Sequence, residues 1–544
     1  MDKQEVELVN AIIQSKPWLR LTNEIDEGAD KTFHEGKIEI DTAKGVLKLD
    51  VRITPDFPLS KIEFICTSHK GIDHEMLNGL LCLNAAPAKE LKDRLELELE
   101  KLQWWTDKYF VKEEKDDHFE YYQFHRQSNI QMLFEEDQEK PLPKSRQGRF
   151  SYGSLNELKI GEKVYHAWIA GDIGGRKSRW SKFYQQMSDG PFKGLWLLLS
   201  GPPIIQGRQT IEKWEDLLKL LTPTQTQFIY DEHKKIKGNS SYENFFLILV
   251  GYEIEEKNGK ELHWDMIQVP YADFPYSSQK VGPGKYGPLD LGKEVSWCKT
   301  SNASYQRLFG RGKLSNKLTE GKILIAGTGA IGSSLFLALV RGGCKEIEIS
   351  DFDDIDPGNI CRGQFSFKES HKPKISELYN EAHAISPYVN VNIGFGVIAI
   401  RQSNKVYPAL KKKLMRFDYI FDCTTDKYLS IMLDEMALRG QIINLSISDK
   451  ANQFVVITGN GNIHTTKSNL YDRISRGKAE TFFVATGCWH PTFQANYAEI
   501  NAGLMYALNE INQKLETGEG IRSFFISKTL NATKSLTYEI SYNV

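Results

Sequence analysis

Three glycines in the C-terminal half of the chain form a G-x-G-x-x-G pattern. Gly327, Gly329 and Gly332 follow a short apolar run and open a longer apolar segment, as in a strand, a turn and a helix. Such a turn lets the backbone approach a phosphate closely, and the helix directs its N–H groups and its dipole at the same place. Asp351 ends the next predicted strand, about 20 residues further on, where a carboxylate can bind a ribose hydroxyl. The pattern predicts a nucleotide site, and by itself it is compatible with an NAD(P)-dependent oxidoreductase.

Charged and polar residues follow this strand in one segment. Asp353, Asn359 and Arg362 come first, and Lys374 follows. The backbone already binds the pyrophosphate of a dinucleotide, whereas an ATP α-phosphate under attack gains negative charge that cations must stabilise. Further along, the apolar run FDYIFD precedes Asp426, and a carboxylate beyond the end of a strand suits a Mg²⁺ ligand. The residues therefore favour ATP and Mg²⁺ over a nicotinamide cofactor.

The order of these motifs resembles that of the ThiF/MoeB/ubiquitin-activating adenylation family. The resemblance covers about residues 300–515 and implies that Asp351, in the family's D-x-D motif with Asp353, holds the ribose. It also implies phosphate contacts and a Mg²⁺ ligand; the residues for these roles are Asn359, Arg362 and Lys374 for phosphate, and Asp426 for Mg²⁺. The YQR stretch resembles the family's N-terminal arginine motif, so Arg307 would reach the triphosphate of a partner subunit in a homodimer.

Some positions depart from the family pattern. Gly363 stands where the family often has Gln, and His371 stands where a Gly usually precedes the lysine. The DCTTD stretch is one residue longer than the usual DCTD, which shifts Asp426. The chain also lacks the cysteine spacing of the zinc site that many family members carry.

Cys488 is the first candidate nucleophile. It lies in ATGCWHPTFQANYAEI, after a glycine and before a proline-containing turn and a predicted helix. A thiolate is favoured near a helix N-terminus. The stretch resembles the crossover region of bacterial activating enzymes, where a carrier's carboxyl terminus passes from AMP to sulfur. The alternative is a buried core cysteine, and Cys344, Cys361 and Cys423 are expected in the core or behind the site.

Cys82 is the second candidate. The N-terminal block, about residues 1–125, resembles the bacterial branch of the ubiquitin-conjugating fold. The matching residues are His74, Gly79, Cys82 and Leu83. The loop from the histidine to the cysteine is two residues shorter than usual, and Met76 takes the place of the asparagine that stabilises an oxyanion. Asn78 and Asn84 are candidates to replace it, and the alternative for Cys82 is a cysteine in a core strand.

The elements around these residues predict three domains. Residues 1–140 form an α+β ubiquitin-conjugating-like domain, with an alternating strand in VLKLDVRI and an amphipathic helix after Cys82. Residues 150–290 form an α+β middle domain of structural role, and residues 295–544 form an α/β Rossmann-like adenylation domain. Loop-like stretches rich in Pro or Gly separate them.

Composition narrows the classes of function. The chain has 544 residues and a formal net charge of −2, so it lacks the basic character of a nucleic-acid-binding protein. Its apolar runs are too short to span a bilayer, and no signal peptide is apparent. The seven cysteines are scattered and contain no C-x-x-C pair. We therefore expect a cytosolic protein with reduced thiols.

Together the two resemblances predict a fused activating and conjugating enzyme, similar to the fusions found with cyclic-oligonucleotide synthases (CD-NTases) in CBASS antiphage operons. A carrier protein's free C-terminal carboxylate would be adenylated, passed to Cys488 and Cys82, and ligated to a target lysine. The carrier implied by the resemblance is the synthase. The alternatives are a sulfur-carrier or ubiquitin-like adenylyltransferase with a non-catalytic N-terminal docking domain, an NAD(P)-dependent oxidoreductase, and a nucleotide-sensing scaffold.

Overall fold

The structure is a computed structural model that describes most of the chain as two compact units. The first contains residues 1–177 and 187–303, and the second contains 178–186 and 304–544. No helix within the described ranges has the length and apolar character needed to cross a membrane. The described ranges are 1–28, 32–76, 78–114, 127–206, 209–237, 245–256, 259–270, 280–282, 285–286, 292–394, 406–459, 461–474, 495–542 and 544.

The N-terminal part of the first unit packs helices on a four-stranded antiparallel sheet in the order β1-β2-β3-β4. The predicted alternation is confirmed, because Leu47, Leu49, Val51 and Ile53 are all buried. The predicted helix after Cys82 is also present, and it continues as a short π-helix over Thr106–Val111. The elements are α1 (Lys3–Gln14), β1 (Arg20–Glu27), β2 (His34–Thr42), β3 (Gly45–Ile53), β4 (Ile62–Cys66) and α2 (Leu91–Trp105).

The rest of the first unit is built around a closed barrel in the order β11-β12-β15-β5-β7-β6-β8. Alternate side chains of its long strands, such as Leu247 and Leu249, fill the interior. The elements of this part of the chain are β5 (Gln127–Phe134), β6 (Gln147–Ile160), β7 (Lys163–Ala170), α3 (Lys182–Ser188), β8 (Phe192–Leu198), β9 (Ile204–Gln206), β10 (Gln209–Thr210), α4 (Trp214–Leu220), α5 (Pro223–Lys237), β11 (Phe245–Glu256), β12 (Gly259–Pro270), β13 (Lys280–Gly282), β14 (Lys285–Tyr286) and β15 (Ser296–Asn302).

The second unit contains an eight-stranded sheet in the order β18-β17-β16-β19-β20-β21-β22-β23. The first five strands are parallel and the remaining pairings are antiparallel. The elements are α6 (Tyr305–Phe309), α7 (Asn316–Thr319), β16 (Lys322–Ala326), α8 (Ala330–Arg341), β17 (Glu346–Ser350), α9 (Lys374–Ile385), β18 (Asn390–Ile393), α10 (Val406–Leu414), β19 (Tyr419–Asp422), α11 (Lys427–Glu435), β20 (Gln441–Ile447), β21 (Gln453–Thr458), α12 (Ile463–Ile474), α13 (Tyr497–Glu516), β22 (Phe524–Leu530) and β23 (Leu536–Ser541).

The strand order of the parallel part reverses between β16 and β19. The chain runs outward from β16 through β17 to β18 and then returns to the other side of β16 as β19. In open α/β sheets, ligands bind in the crevice beyond the carboxyl ends of the strands at such a reversal. The predicted glycine turn follows β16 and the DCTTD stretch follows β19, so the topology brings both to this crevice.

Candidate functional site

The glycine turn is packed tightly on one side and open on the other. Gly327 has φ +82°, and a Cβ there would lie 2.8 Å from Cγ2 of Thr424. A Cβ on Gly332 would lie 1.9 Å from the carbonyl oxygen of Gly327. A Cβ built on Gly329, which caps α8, would have no atom within 4 Å. The backbone next to the α8 N-terminus therefore remains accessible to a phosphate group.

Asp351 is tied to the glycine turn through Thr328. Its Oδ2 accepts hydrogen bonds from the backbone N–H of Thr328 at 2.6 Å and from the Thr328 hydroxyl at 2.9 Å. Its Oδ1 accepts one from the backbone N–H of Asp353 at 2.9 Å. Asp351 thus fixes the shape of the turn, a role that the ribose assignment did not include.

Lys374 is a buried cation with a carboxylate partner. It is 6% exposed, and its Nζ lies 2.9 Å from Oδ2 of Asp353. Its backbone N–H also donates to the carbonyl of Asp353. Hydrogen bonds therefore connect the glycine turn to Lys374 through Asp351 and Asp353. The structure brings these predicted residues together.

The segment after Asp353 places the predicted Asn359 and Arg362 on a short turn. Asn359 is half-buried and accepts a hydrogen bond from the backbone of Asp356. Arg362 is also half-buried, and its Nη2 donates to the carbonyl of Gly358.

The glutamine missing at position 363 is present one residue later. The backbone N–H of Gln364 donates to Ser333, and its Nε2 donates to the hydroxyl of Ser334 at 3.1 Å. Gln364 therefore attaches this segment to the start of α8. The sequence pattern did not predict this contact, although the adjacent glutamine was visible.

His371 occupies a position that suits glycine. Its φ is +68°, in the left-handed region that glycine adopts without steric cost. Its backbone N–H donates to the carbonyl of Ile355 at 2.9 Å, which holds the turn before Lys374. The positive φ explains why the family pattern has a glycine at this position, and His371 adopts the same backbone conformation with some strain.

Asp422 organises the loop after β19. It is 1% exposed and accepts four hydrogen bonds within 3.0 Å. The donors are the Thr424 backbone, the Thr424 hydroxyl, the Ser430 hydroxyl and the Asn444 side chain. The Thr424 hydroxyl in turn accepts from the backbone N–H of Asp426. Asp422 therefore shapes the loop that carries Asp426. The sequence indicated Asp422 only as the last residue of the run FDYIFD.

Asp426 caps α11. Its Oδ1 accepts a hydrogen bond from the backbone N–H of Tyr428 at 2.9 Å, and the residue is half-buried. The turn that Asp422 and Thr424 form leads from the end of β19 to Asp426 at the start of α11. Its carboxylate oxygens are of the kind that Mg²⁺ prefers.

Two ionisable groups next to Asp422 are perturbed. Burial raises the pKa of the Cys423 thiol well above its usual value, and the Asp422 carboxylate raises it further. Burial lowers the pKa of Lys467 on α12, and the same carboxylate opposes that change. Cys423 is therefore unsuited to act as a nucleophile at neutral pH.

Arg307 lies on α6 and is exposed. Its backbone N–H donates to the hydroxyl of Ser304, which caps the helix. An exposed side chain is compatible with a role toward another subunit, and that role remains a prediction.

Cys82, in the first unit, is exposed. Its backbone N–H donates to the carbonyl of His74 at 2.7 Å, and the preceding Leu81 is buried. Gly79 has φ +84°, and a Cβ there would lie 2.5 Å from the carbonyl oxygen of Cys66. The alternative of a core-strand cysteine is thus wrong for Cys82, because the turn directs the residue outward.

The loop between His74 and Cys82 has its own supports. The His74 ring packs on the Tyr109 ring with centroids 4.4 Å apart, and His74 has φ +61°. Glu75 is 4% exposed and accepts a hydrogen bond from the backbone N–H of Ile72 at 3.0 Å. Burial raises the pKa of Glu75.

The candidates for the oxyanion position differ from the expected asparagine. Met76, Asn78 and Asn84 are all exposed, and Oδ1 of Asn78 accepts from the backbone N–H of Leu80. The choice between Asn78 and Asn84 remains a prediction. Cys488 lies outside the described residues.

The remaining cysteines only partly match the expectation for core residues. Cys344 is buried and Cys423 is half-buried, as expected. Cys361 is exposed, so a core position is wrong for that residue. It lies on the same turn as Asn359 and Arg362, and a position behind the site stays a prediction.

A family model matches the part of the chain that contains this site. Residues 302–484 match the ThiF family. The matched segment contains the glycine turn, the Asp351–Asp353–Lys374 connection and the DCTTD loop.

Among curated proteins, the chain is similar to the ATP-dependent ubiquitin transferase-like protein Cap2 of Enterobacter hormaechei subsp. hoffmannii. The two are 22% identical over 354 residues, which cover 60% of this chain and 57% of that protein. It is also 31% identical to the uncharacterized protein y4oA of Sinorhizobium fredii over 91 residues, which cover 17% of this chain and 15% of that protein. The chain thus spans little more than half the length of the first relative. The ThiF and Cap2 matches confirm the resemblance predicted from the motifs.

A similar solved structure is that of E. coli MccB with ATP. It is 17% identical, the match covers 42% of this chain and 65% of that chain, and the TM-score is 0.30.

Proposed function

We propose that this chain is an ATP-dependent enzyme that activates the C-terminal carboxylate of a carrier protein and transfers it through thioesters to a target lysine. The observation that carries the proposal is the convergence at the strand-order reversal of the glycine turn, the buried Lys374 and the loop of Asp426. The backbone N–H of Cys423 donates to the carbonyl of Ala326 at 2.8 Å, which joins the starts of the two loops. The ThiF match of the same segment supports this interpretation.

The proposed site binds ATP with its phosphates toward the N-terminus of α8. Asp351 binds the ribose while holding Thr328, and Asn359, Arg362 and Lys374 contact the phosphates. Asp426 would hold Mg²⁺, which neutralises phosphate charge when bound. No group of three or more His, Cys, Asp or Glu side chains suited to a metal occurs in the described residues. A Mg²⁺ ion held by one carboxylate with phosphate and water ligands is consistent with that arrangement.

In the first chemical step, an oxygen of the carrier carboxylate attacks the α-phosphorus. The bond to the β-phosphate oxygen breaks, which gives an acyl-adenylate and pyrophosphate. Arg362 and Lys374 stabilise the charge that grows on the phosphate oxygens. In the proposed homodimer, Arg307 of each subunit would act at the site of the other.

The later steps transfer the acyl group between sulfurs. The Cys488 thiolate attacks the acyl carbonyl and AMP leaves. The Cys82 thiolate then displaces Cys488, and a lysine amine of the target displaces Cys82, which releases the thiol and forms an isopeptide bond. The exposure of Cys82 supports its part in this relay. A cyclic-oligonucleotide synthase is the proposed carrier and antiphage defence the proposed setting, by resemblance to the CBASS fusions.

The adenylation step is tested by ATP–pyrophosphate exchange with a cyclic-oligonucleotide synthase supplied as the carrier. We expect Arg362→Ala and Lys374→Ala each to reduce the rate about 100- to 1000-fold, the usual effect of removing one positioned charge. The exposed Lys534→Ala is a matched control and should leave the rate unchanged. Exchange near the wild-type rate in both site variants would contradict the site assignment.

The relay is tested by trapping adducts on gels with and without thiol reductant. Cys488→Ala should form adenylate but no thioester. Cys82→Ala should accumulate a reducible thioester on Cys488 and no isopeptide product. If Cys82→Ala conjugates normally, the N-terminal domain is a docking module and the second thiol transfer does not occur. If Cys488→Ala still loads Cys82, the adenylate passes directly to Cys82.

A further inference from the structure

Nine residues from the middle of the chain belong to the second unit. The chain leaves the first unit at Ser178 and returns to it at Met187, and we call residues 178–186 the strap. Trp180 and Ser181 are each 2% exposed. The Gln185 side chain donates to the carbonyls of Ser178 and Trp180, which closes the strap on itself. The strap is therefore anchored by buried residues in the unit that contains the proposed nucleotide site, although part of it is exposed.

The strap binds the C-terminal end of α9. The Tyr184 hydroxyl donates to the carbonyl of His383, and the backbone N–H of Ser181 donates to the carbonyl of Pro387 at 2.7 Å. The Phe183 ring packs against the His383 ring with centroids 4.7 Å apart. The last four carbonyls of a helix have no partner within the helix. Tyr184 supplies a partner for one of them, so the strap caps α9.

The other end of α9 carries Lys374. His383 lies nine residues after it, about 14 Å along the helix axis. The N-terminal end is held by the bonds of Lys374 to Asp353, and the C-terminal end is held by the strap. These two attachments hold the ends of a helix whose buried residues Ile375, Leu378 and Ala382 pack in the core.

We propose that the strap positions the nucleotide site by capping α9, with Tyr184 as the positioning residue for Lys374. This inference rests on the proposed function, since it assumes that Lys374 acts on phosphate. It gives the middle region of the chain a part in adenylation beyond a structural role.

Tyr184→Phe in the full-length chain tests the inference, because it removes the hydroxyl and keeps the ring. We expect amide hydrogen exchange in residues 380–386 to become about 5-fold faster. We also expect the maximal rate of ATP–pyrophosphate exchange to fall about 3- to 10-fold with little change in KM for ATP, since positioning is lost chiefly in the transition state. Tyr506→Phe, at an exposed tyrosine of α13, should change neither quantity.

Unchanged hydrogen exchange in Tyr184→Phe would overturn the capping role. Faster hydrogen exchange with an unchanged maximal rate would overturn the positioning role and leave a purely structural contact. Failure of the proposed function is recognised separately, because Lys374→Ala would then retain pyrophosphate exchange whatever Tyr184→Phe does to α9.

Discussion

Replacement of Asp422 should destabilise the second unit through the donors that it leaves without a partner. Two of its four donors are amide N–H groups that would lose their acceptor, namely the Thr424 backbone N–H and the Asn444 side-chain amide. Asp422 and Asn444 are 1% and 0% exposed, so water does not readily replace the carboxylate. A buried unsatisfied donor costs about 1–3 kcal/mol. Asp422→Ala should therefore lower the free energy of unfolding by about 2–6 kcal/mol.

Asp422→Asn should lower the free energy of unfolding much less than Asp422→Ala does. Oδ1 of Asn444 has no hydrogen-bond partner among the described residues. Rotation of the Asn444 amide can present this oxygen to the new NH₂ group, and the Ser430 hydroxyl can turn to accept as well. The Asn side chain would then lack only the negative charge of the carboxylate acceptor, and we expect this loss to lower the free energy of unfolding by about 1–2 kcal/mol.

Calorimetric melting of the full-length chain measures this difference. In a unit of this size, 1 kcal/mol shifts Tm by about 2–4 °C, so Asp422→Ala should lower Tm by about 5–20 °C. Hydrogen exchange over residues 419–435 locates the change in β19 and α11. Asp418→Ala is the control, because Asp418 is exposed and its side chain accepts a single backbone hydrogen bond, from Lys322. A Tm for Asp422→Ala within about 1 °C of wild type would refute the reasoning.

Three further results are expected. Asp351→Ala should raise KM for ATP and also lower the maximal exchange rate, because Asp351 holds Thr328 and Asp353; an effect on KM alone would restrict it to ribose binding. Brief alkylation of the native protein, mapped by mass spectrometry, should modify Cys82 and Cys361 first among the six described cysteines, because these two are exposed. Burial raises the pKa of the Cys66 thiol and raises that of the Cys298 thiol to about 12, so early modification of Cys298 would contradict this expectation. Burial raises the folded-state pKa of Glu75 above 4.5, so the stability that Glu75 contributes is present below pH 4.5 and is lost as pH rises through the folded pKa. The urea midpoint of Glu75→Gln should lack this decrease with rising pH, whereas the midpoint of Glu24→Gln, at an exposed residue, should retain it.

The sequence predicted those parts of the site that depend on short-range patterns. The glycine turn and the predicted strand ending in Asp351 belong to one βαβ unit, and Lys374 opens the next helix, α9. Their order along the chain therefore predicts their proximity from local rules. The alternation of β3 and the helix after Cys82 were predictable for the same reason.

The parts that could not be predicted depend on contacts between distant segments. Asn444 meets Asp422 only because β20 lies beside β19, and Tyr184 meets His383 across about 200 residues of sequence. The outward direction of Cys82 also depends on Gly79 packing against Cys66, whereas the apolar residues around Cys82 suggested a core strand. No periodicity or motif encodes such pairings.

The pairing of Lys374 with Asp353 affects which anions the nucleotide crevice can retain. Because the ammonium group already has a carboxylate 2.9 Å away, a small anion such as chloride or inorganic phosphate gains little by approaching it. In the proposed site, a nucleotide would also gain the contacts of its ribose and of the backbone around Gly329, and these contacts would let its phosphates compete with Asp353. The ion pair would therefore favour the binding of a complete nucleotide over that of simple anions.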